Sequence, residues 1–123
     1  MFIVCHAAGD FLLQTDWQAV NKRGGVGRNR EARRALLRHI LTYTLAFVPA
    51  LVWIGDDIGA GWAVLLAAGI SIPHLIQDDG RLLSAYIAAI KGRGAGETQT
   101  VFMAVDQSFH LLTLFVTALI VAA

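Results

Sequence analysis

The chain has 123 residues, 56% of them hydrophobic and only 15% charged, with a mean hydropathy of +0.58. Soluble domains carry nearer a quarter charged residues, so this composition excludes an ordinary soluble domain and a disordered chain alike. A single cysteine, Cys5, excludes an internal disulfide framework and any cysteine-based zinc cluster, and the net charge of +1 says nothing until its distribution is followed.

Four apolar stretches follow in chain order, and each predicts a membrane helix: about 1–20, 35–55, 58–78 and 98–122. Crossing the hydrocarbon core takes about 20 residues at 1.5 Å each. The first stretch is interrupted by Asp10 and Asp16. It has no basic leading segment and places Asp10 where a signal peptide is most apolar, so it reads as a retained helix. In the third, Pro73 or the run Asp78-Asp79-Gly80 is expected to kink or end the helix. The expected fold is all-α, a four-helix transmembrane bundle in one domain, residues 1–123.

The basic residues give this bundle an orientation. Lys22, Arg23, Arg28, Arg30, Arg33, Arg34 and Arg38 surround the first connection; Arg81, Lys91 and Arg93 lie in the third. The second, around Asp56-Asp57, has none. Positive residues mark the cytoplasmic side, which predicts loops one and three inside and both termini outside. Trp53 and Trp62 flank the acidic loop and Trp17 the basic one, as interfacial belts do. Beside apolar spans such a basic loop is a topology signal rather than a nucleic-acid site. The glycine-rich runs 23–28 and 92–96 lack the order of a phosphate loop and read as turns.

Every histidine has a polar partner four residues away: His6 with Asp10, His39 with Tyr43, His74 with Asp78, and His110 with Asp106. On a helix that spacing puts both groups on one face. Three acid pairs among four histidines would arise about once in a hundred sequences of this composition with random placement. A carboxylate at mid-membrane costs about 2.5–3.5 kcal/mol unless it is paired, protonated or bound to a cation. Imidazole with carboxylate suits zinc, manganese or iron. The candidate ligands for one or two divalent ions are therefore His6, Asp10, His39, His74, Asp78, Asp106 and His110. Gln14 and Gln107 are candidates to hydrogen-bond around them, and Cys5 reads as a small core residue.

Two further readings of the same residues stay open: a polar network that only locks the helices together, and a cation or proton path in a homo-oligomer. If the ion is catalytic, it lowers the pKa of a bound water for hydrolysis of a membrane lipid or lipid-linked substrate at the cytoplasmic leaflet. Asp78 or Asp106 is then the expected general base, and Arg38 and Arg81 are expected to receive the anionic headgroup.

These motifs carry a resemblance. His6-Ala7-Ala8-Gly9-Asp10-Phe11-Leu12-Leu13-Gln14, the basic loop and His39, His74-Leu75-Ile76-Gln77-Asp78, and Asp106-Gln107-Ser108-Phe109-His110 resemble the bacterial domain-of-unknown-function family 3307 over nearly the whole chain. The resemblance implies a small bacterial or phage membrane protein, here expected in the cytoplasmic membrane, and transfers no activity. A more distant likeness, in residue types alone, is to inner-membrane metal-dependent hydrolases.

Overall fold

The computed structural model describes residues 1–122, with the backbone alone at Arg93. Every described element is helical: α1 (Phe2–Ala7) running on as a π turn (Ala8–Leu12), α2 (Asp16–Asn21), α3 (Arg30–Ile58), α4 (Ala60–Asp78), α5 (Arg81–Ile90), a 3-10 turn (Arg93–Glu97) and α6 (Gln99–Ala122). Among the described residues, three helices are long and apolar enough to cross a membrane: α3, α4 and α6.

The expected first span is corrected. Its apolar run is two short helices separated by residues 13–15. The reason is local chemistry. Thr15 and Gln18 form a capping box, in which the Thr15 hydroxyl accepts from the Gln18 N–H while the Gln18 side chain accepts from the Thr15 N–H. Two orphan donors are satisfied at once, so a new helix starts at Asp16. What precedes it, eleven residues from Phe2 to Leu12, spans about 16 Å, roughly half the hydrocarbon thickness. It lies against α3 and α6.

The other boundaries shift less. α3 starts at Arg30, where the Asn29 side chain accepts from the N–H groups of Glu31 and Ala32 at 2.9 and 3.2 Å. It continues to Ile58, so Asp56 and Asp57 are helical rather than in a loop. α4 passes through Pro73 and stops at Asp78; of the two expected breaks, the one at Gly80 is realised, at φ +75° in the left-handed region where glycine costs least. α3 and α4 form an antiparallel hairpin, with Gly55 beside Ala63 at one end and His39 beside Asp78 at the other.

This arrangement brings Lys22, Arg23 and Arg81 together at the Asp78 end of the α3–α4 hairpin, with Asp56 and Asp57 at its Gly55 end. The loop after α2 is tied to the α4–α5 junction: the Gly24 N–H donates to the Asp79 carbonyl and the Val26 N–H to the Asp79 carboxylate, each at 2.8 Å. Toward the acidic end the interior is apolar, with Phe2, Phe47, Leu51, Leu66, Ile70 and Leu114 in one cluster. The outer faces are also apolar: Leu41, Leu45 and Val52 on α3, Val64 and Leu65 on α4, and Leu112, Phe115 and Leu119 on α6 are exposed.

Candidate metal centre

Toward the basic end the interior holds a polar cluster beside a second apolar one of Leu83, Ile87, Phe102 and Val105. His6, Asp10, His39, His74, Asp78 and His110 are all buried, each less than 8% exposed, and Asp106 is half-buried. Four atoms from three parts of the chain converge. His39 Nε2 lies 3.0 Å from His74 Nε2, 2.8 Å from Asp78 Oδ2 and 3.3 Å from Asp10 Oδ1. His74 Nε2 lies 3.2 Å from each of the same two carboxylate oxygens.

These distances can be compared with the geometry of an ion. Ligands about 2.0–2.1 Å from a tetrahedral zinc stand about 3.3 Å apart. Five edges of the figure formed by these four atoms measure 2.8–3.3 Å. With both imidazoles neutral and their lone pairs on Nε2, the two carboxylates would make a buried pocket of negative potential that a divalent cation would neutralise. Asp10 Oδ1 and Asp78 Oδ2 make no well-aligned hydrogen bond, and their near neighbours are the His39 and His74 Nε2 atoms at 2.8–3.3 Å. The donor set therefore fits a four-coordinate ion.

Asp10 reaches the centre because of the residue before it. A Cβ at position 9 would stand 2.6 Å from Tyr43 Cδ2 and 3.3 Å from Tyr43 Cα. Only glycine lets the π turn lie this close to α3, and the widened turn aims Asp10 at His39 and His74. Single π turns of this kind recur at functional sites.

A directed chain of hydrogen bonds holds the other side of Asp10. The Gln107 carbonyl Oε1 accepts from His6 Nε2 at 3.0 Å, so the His6 proton resides there. His6 Nδ1 then accepts from the Tyr43 hydroxyl at 3.1 Å. Gln107 Nε2 donates onward to Asp10 Oδ2 at 3.4 Å. Both nitrogens of His6 are hydrogen-bonded in this arrangement, while His6, Asp10 and His74 also offer ligand atoms within 4.8 Å of one another. The Tyr43 ring lies flat on His74, with centroids 3.4 Å apart at 8°, which fixes that imidazole.

The seven expected ligands thus divide. Asp10, His39, His74 and Asp78 meet at one point; His6 stands behind Asp10. His110 and Asp106 approach Asp78 from its other oxygen, His110 Nε2 being 3.7 Å from Asp78 Oδ1. Gln107 takes the supporting part expected of it, whereas the buried Gln14 Nε2 has no partner. Lys22 is the member that sequence reasoning missed. Its Nζ is 2.9 Å from Asp78 Oδ1, and nothing in the sequence separates it from the other basic residues of its loop.

The two arginines expected to bind a headgroup are placed differently. Arg38 lies over the Trp17 ring at 5.8 Å and shares a cleft of about 430 Å³ with Arg30, Glu31 and Arg34. Arg81 Nε donates to Asp79 Oδ2 at 2.6 Å. That bond and the neighbouring charge push the Arg81 pKa above its ordinary value.

No curated protein and no solved structure matches the chain. A family model described as a protein of unknown function, DUF3307, matches residues 1–123, and the chain belongs to that family.

Proposed function

We propose that this is a multi-pass protein of a bacterial cytoplasmic membrane that binds one divalent transition-metal ion (zinc, manganese or iron) through Asp10, His39, His74 and Asp78. The observation that carries this reading is the convergence of two Nε2 and two carboxylate oxygens at 2.8–3.3 Å in a buried interior. Membrane placement is supported by apolar outer faces around an interior that holds the buried His/Asp cluster, with three helices of spanning length. The basic end is then cytoplasmic by the positive-inside rule, with the exposed Trp53 and Trp62 toward the outer interface. α1 enters only about half the bilayer in this reading, wedged between α3 and α6.

Metal content tests it. Purified in detergent, reloaded and desalted, the protein is expected to retain about one ion per chain, since tight sites survive such handling. Less than about a tenth of an equivalent of zinc, manganese or iron after reloading would overturn the proposal.

Hydrolysis is a second reading, and Asp106 favours it. A centre closed by four protein ligands is the usual form of a structural site, whereas catalytic sites keep a position open. Asp78, held in the closed set, is then poorly placed as a base. Asp106 stands one turn from His110 with its side chain 15% exposed, free to take a proton. For an ion in the centre to supply Lewis acidity, one of its four protein ligands would have to yield its position to water or substrate, and the Arg38 cleft would receive a lipid phosphate. The expected result is metal-dependent cleavage of a phosphodiester lipid in mixed micelles, lost in Asp106→Asn while the ion is retained. No cleavage by the metal-loaded protein rejects this reading and leaves the binding proposal standing.

A further inference from the structure

We propose that the outer oxygen of Asp78 faces a second cation position, which Lys22 fills as a tethered cation, and that Lys22 thereby limits the centre to one divalent ion. The inference rests on the metal-binding reading above and concerns the neighbouring position, not the four-ligand set.

Asp78 uses its two oxygens differently. Oδ2 belongs to the tetrahedral set with His39 and His74. Oδ1 faces the Lys22 ammonium at 2.9 Å and His110 Nε2 at 3.7 Å. A carboxylate shared in this way is how helical bundles join two metal ions, which then sit about 3.5–4 Å apart.

The ligands of a second ion are present. His110 Nδ1 donates to the Asp106 carbonyl at 2.9 Å, which fixes the proton on that nitrogen and leaves Nε2 with a lone pair. That Nε2 is buried, on a residue 2% exposed, and has no hydrogen-bond partner. Lys22 therefore supplies charge to Asp78 without satisfying His110. Asp78, Asp106 and His110 offer three ligand atoms within 4.8 Å of one another.

Lys22 is held in place rather than loosely paired. It caps the C-terminus of α2, its side chain is only 13% exposed, and its loop is bonded to Asp79 through Gly24 and Val26. Charge arithmetic explains what it does. With Asp10, Asp78 and Asp106 ionised, one divalent ion and one ammonium bring the buried centre to neutrality. A second ion in the presence of Lys22 would leave an excess of two positive charges. Without Lys22, a single ion leaves one negative charge uncompensated, beside a histidine already presenting a lone pair. The position then attracts a second ion.

The test is metal stoichiometry with zinc as the probe, measured by elemental analysis on desalted protein in detergent. Wild type is expected to hold about one zinc and Lys22→Met about two, with Lys22→Met/His110→Ala returning to about one. Lys22→Arg keeps the charge and is expected to stay at one. Against wild type alone, His110→Ala is expected to keep its single ion, a readout that does not depend on the folding of any Lys22 variant. Two ions in wild type, one ion in Lys22→Met, or loss of the ion in His110→Ala would each overturn the inference. Zero ions in every form would instead overturn the metal-binding reading on which it stands.

Discussion

Between Phe47 and His39, about 12 Å apart along α3, the interior of the bundle changes character. Around Phe47 lie Phe2, Leu51, Leu66, Ile70 and Leu114, and no group there depends on any single neighbour. Around His39 lie His74, Asp10 and Asp78, each within 3.3 Å. The first region is held by many small dispersion contacts, the form of cohesion available where the outer faces are apolar as well. The second is held by charge balance among a few atoms, so it needs every one of them. One region is redundant and tolerates repacking; the other is specific and, in the function proposed above, would be built around a cation.

The sharpest way to break this contrast is a pair of substitutions with crossed readouts. Phe47→Ala is expected to cost about 3–5 kcal/mol of stability, from lost contacts and the cavity left behind. Its metal stoichiometry should not change. Asp10→Asn is expected to lower metal affinity by roughly 10²–10³-fold, the share of one ligand in the about 10–16 kcal/mol of a four-ligand site. Its apo form should be little destabilised, because a negative charge has been removed from a crowded pocket. Unfolding in mixed micelles and competition with a chelating dye measure the two quantities. If Phe47→Ala loses the ion, the two halves are a single cooperative unit and the contrast fails.

A weaker perturbation reaches the centre from behind. His6→Ala removes the link from Tyr43 to Gln107 and frees Asp10 to rotate. Outer hydrogen-bond partners of metal ligands are typically worth about 10–100-fold in affinity, and that is the loss expected here, with one ion still bound at saturating metal. Complete loss of binding would make His6 itself a ligand and overturn the division of the seven residues drawn above.

How much of this could be read from the sequence depends on what spacing encodes. A spacing of four places two groups on one face, and all four histidines do face the interior. It does not say which groups will meet. Within their own helices His6 and Asp10 stand 3.7 Å apart, and Asp106 and His110 3.8 Å; the contacts of 2.8–3.3 Å that define the centre run mostly between helices. The expected partner of His39 was Tyr43, yet that ring stacks on His74. His6 stands one turn from Asp10 on the side away from His39 and reaches the cluster through Gln107 and Tyr43. The break at residues 13–15 was legible in principle, because Thr15-Asp16-Trp17-Gln18 has the form of a capping box. An apolar run on both sides of it argued for one long helix. The role of Lys22 was not legible at all, since a loop lysine becomes a buried counter-charge only through tertiary folding.

Gly9 sharpens the comparison on the backbone side. Adding a methyl group in Gly9→Ala forces the π turn away from Tyr43, whose Cα would stand 3.3 Å from the new carbon and cannot rotate aside as a side-chain atom can. Overpacking of this kind costs about 1–3 kcal/mol. Here the cost falls on the reach of Asp10, so affinity should drop by about tenfold with the ion count unchanged. Equal affinity in Gly9→Ala would mean that α1 adjusts freely and that the close approach does not position the ligand.

The smallest expected effect tests whether the basic end is coupled to the centre through helix ends as well as through Lys22. Asn29 caps α3 with two backbone bonds, and Arg33 ties the same turn to the Gly27 carbonyl at 2.7 Å. His39 lies nearly three turns farther along, and the intervening backbone bonds are the helix's own. Asn29→Ala should therefore cost about 1 kcal/mol of stability, the ordinary worth of a cap, and leave metal affinity within about twofold of wild type. Thermal unfolding and metal competition on the same preparation give both numbers. A tenfold fall in affinity would show that the loop after α2 hangs on this cap. Lys22 would then move with it, and the basic end would form part of the centre rather than its surroundings.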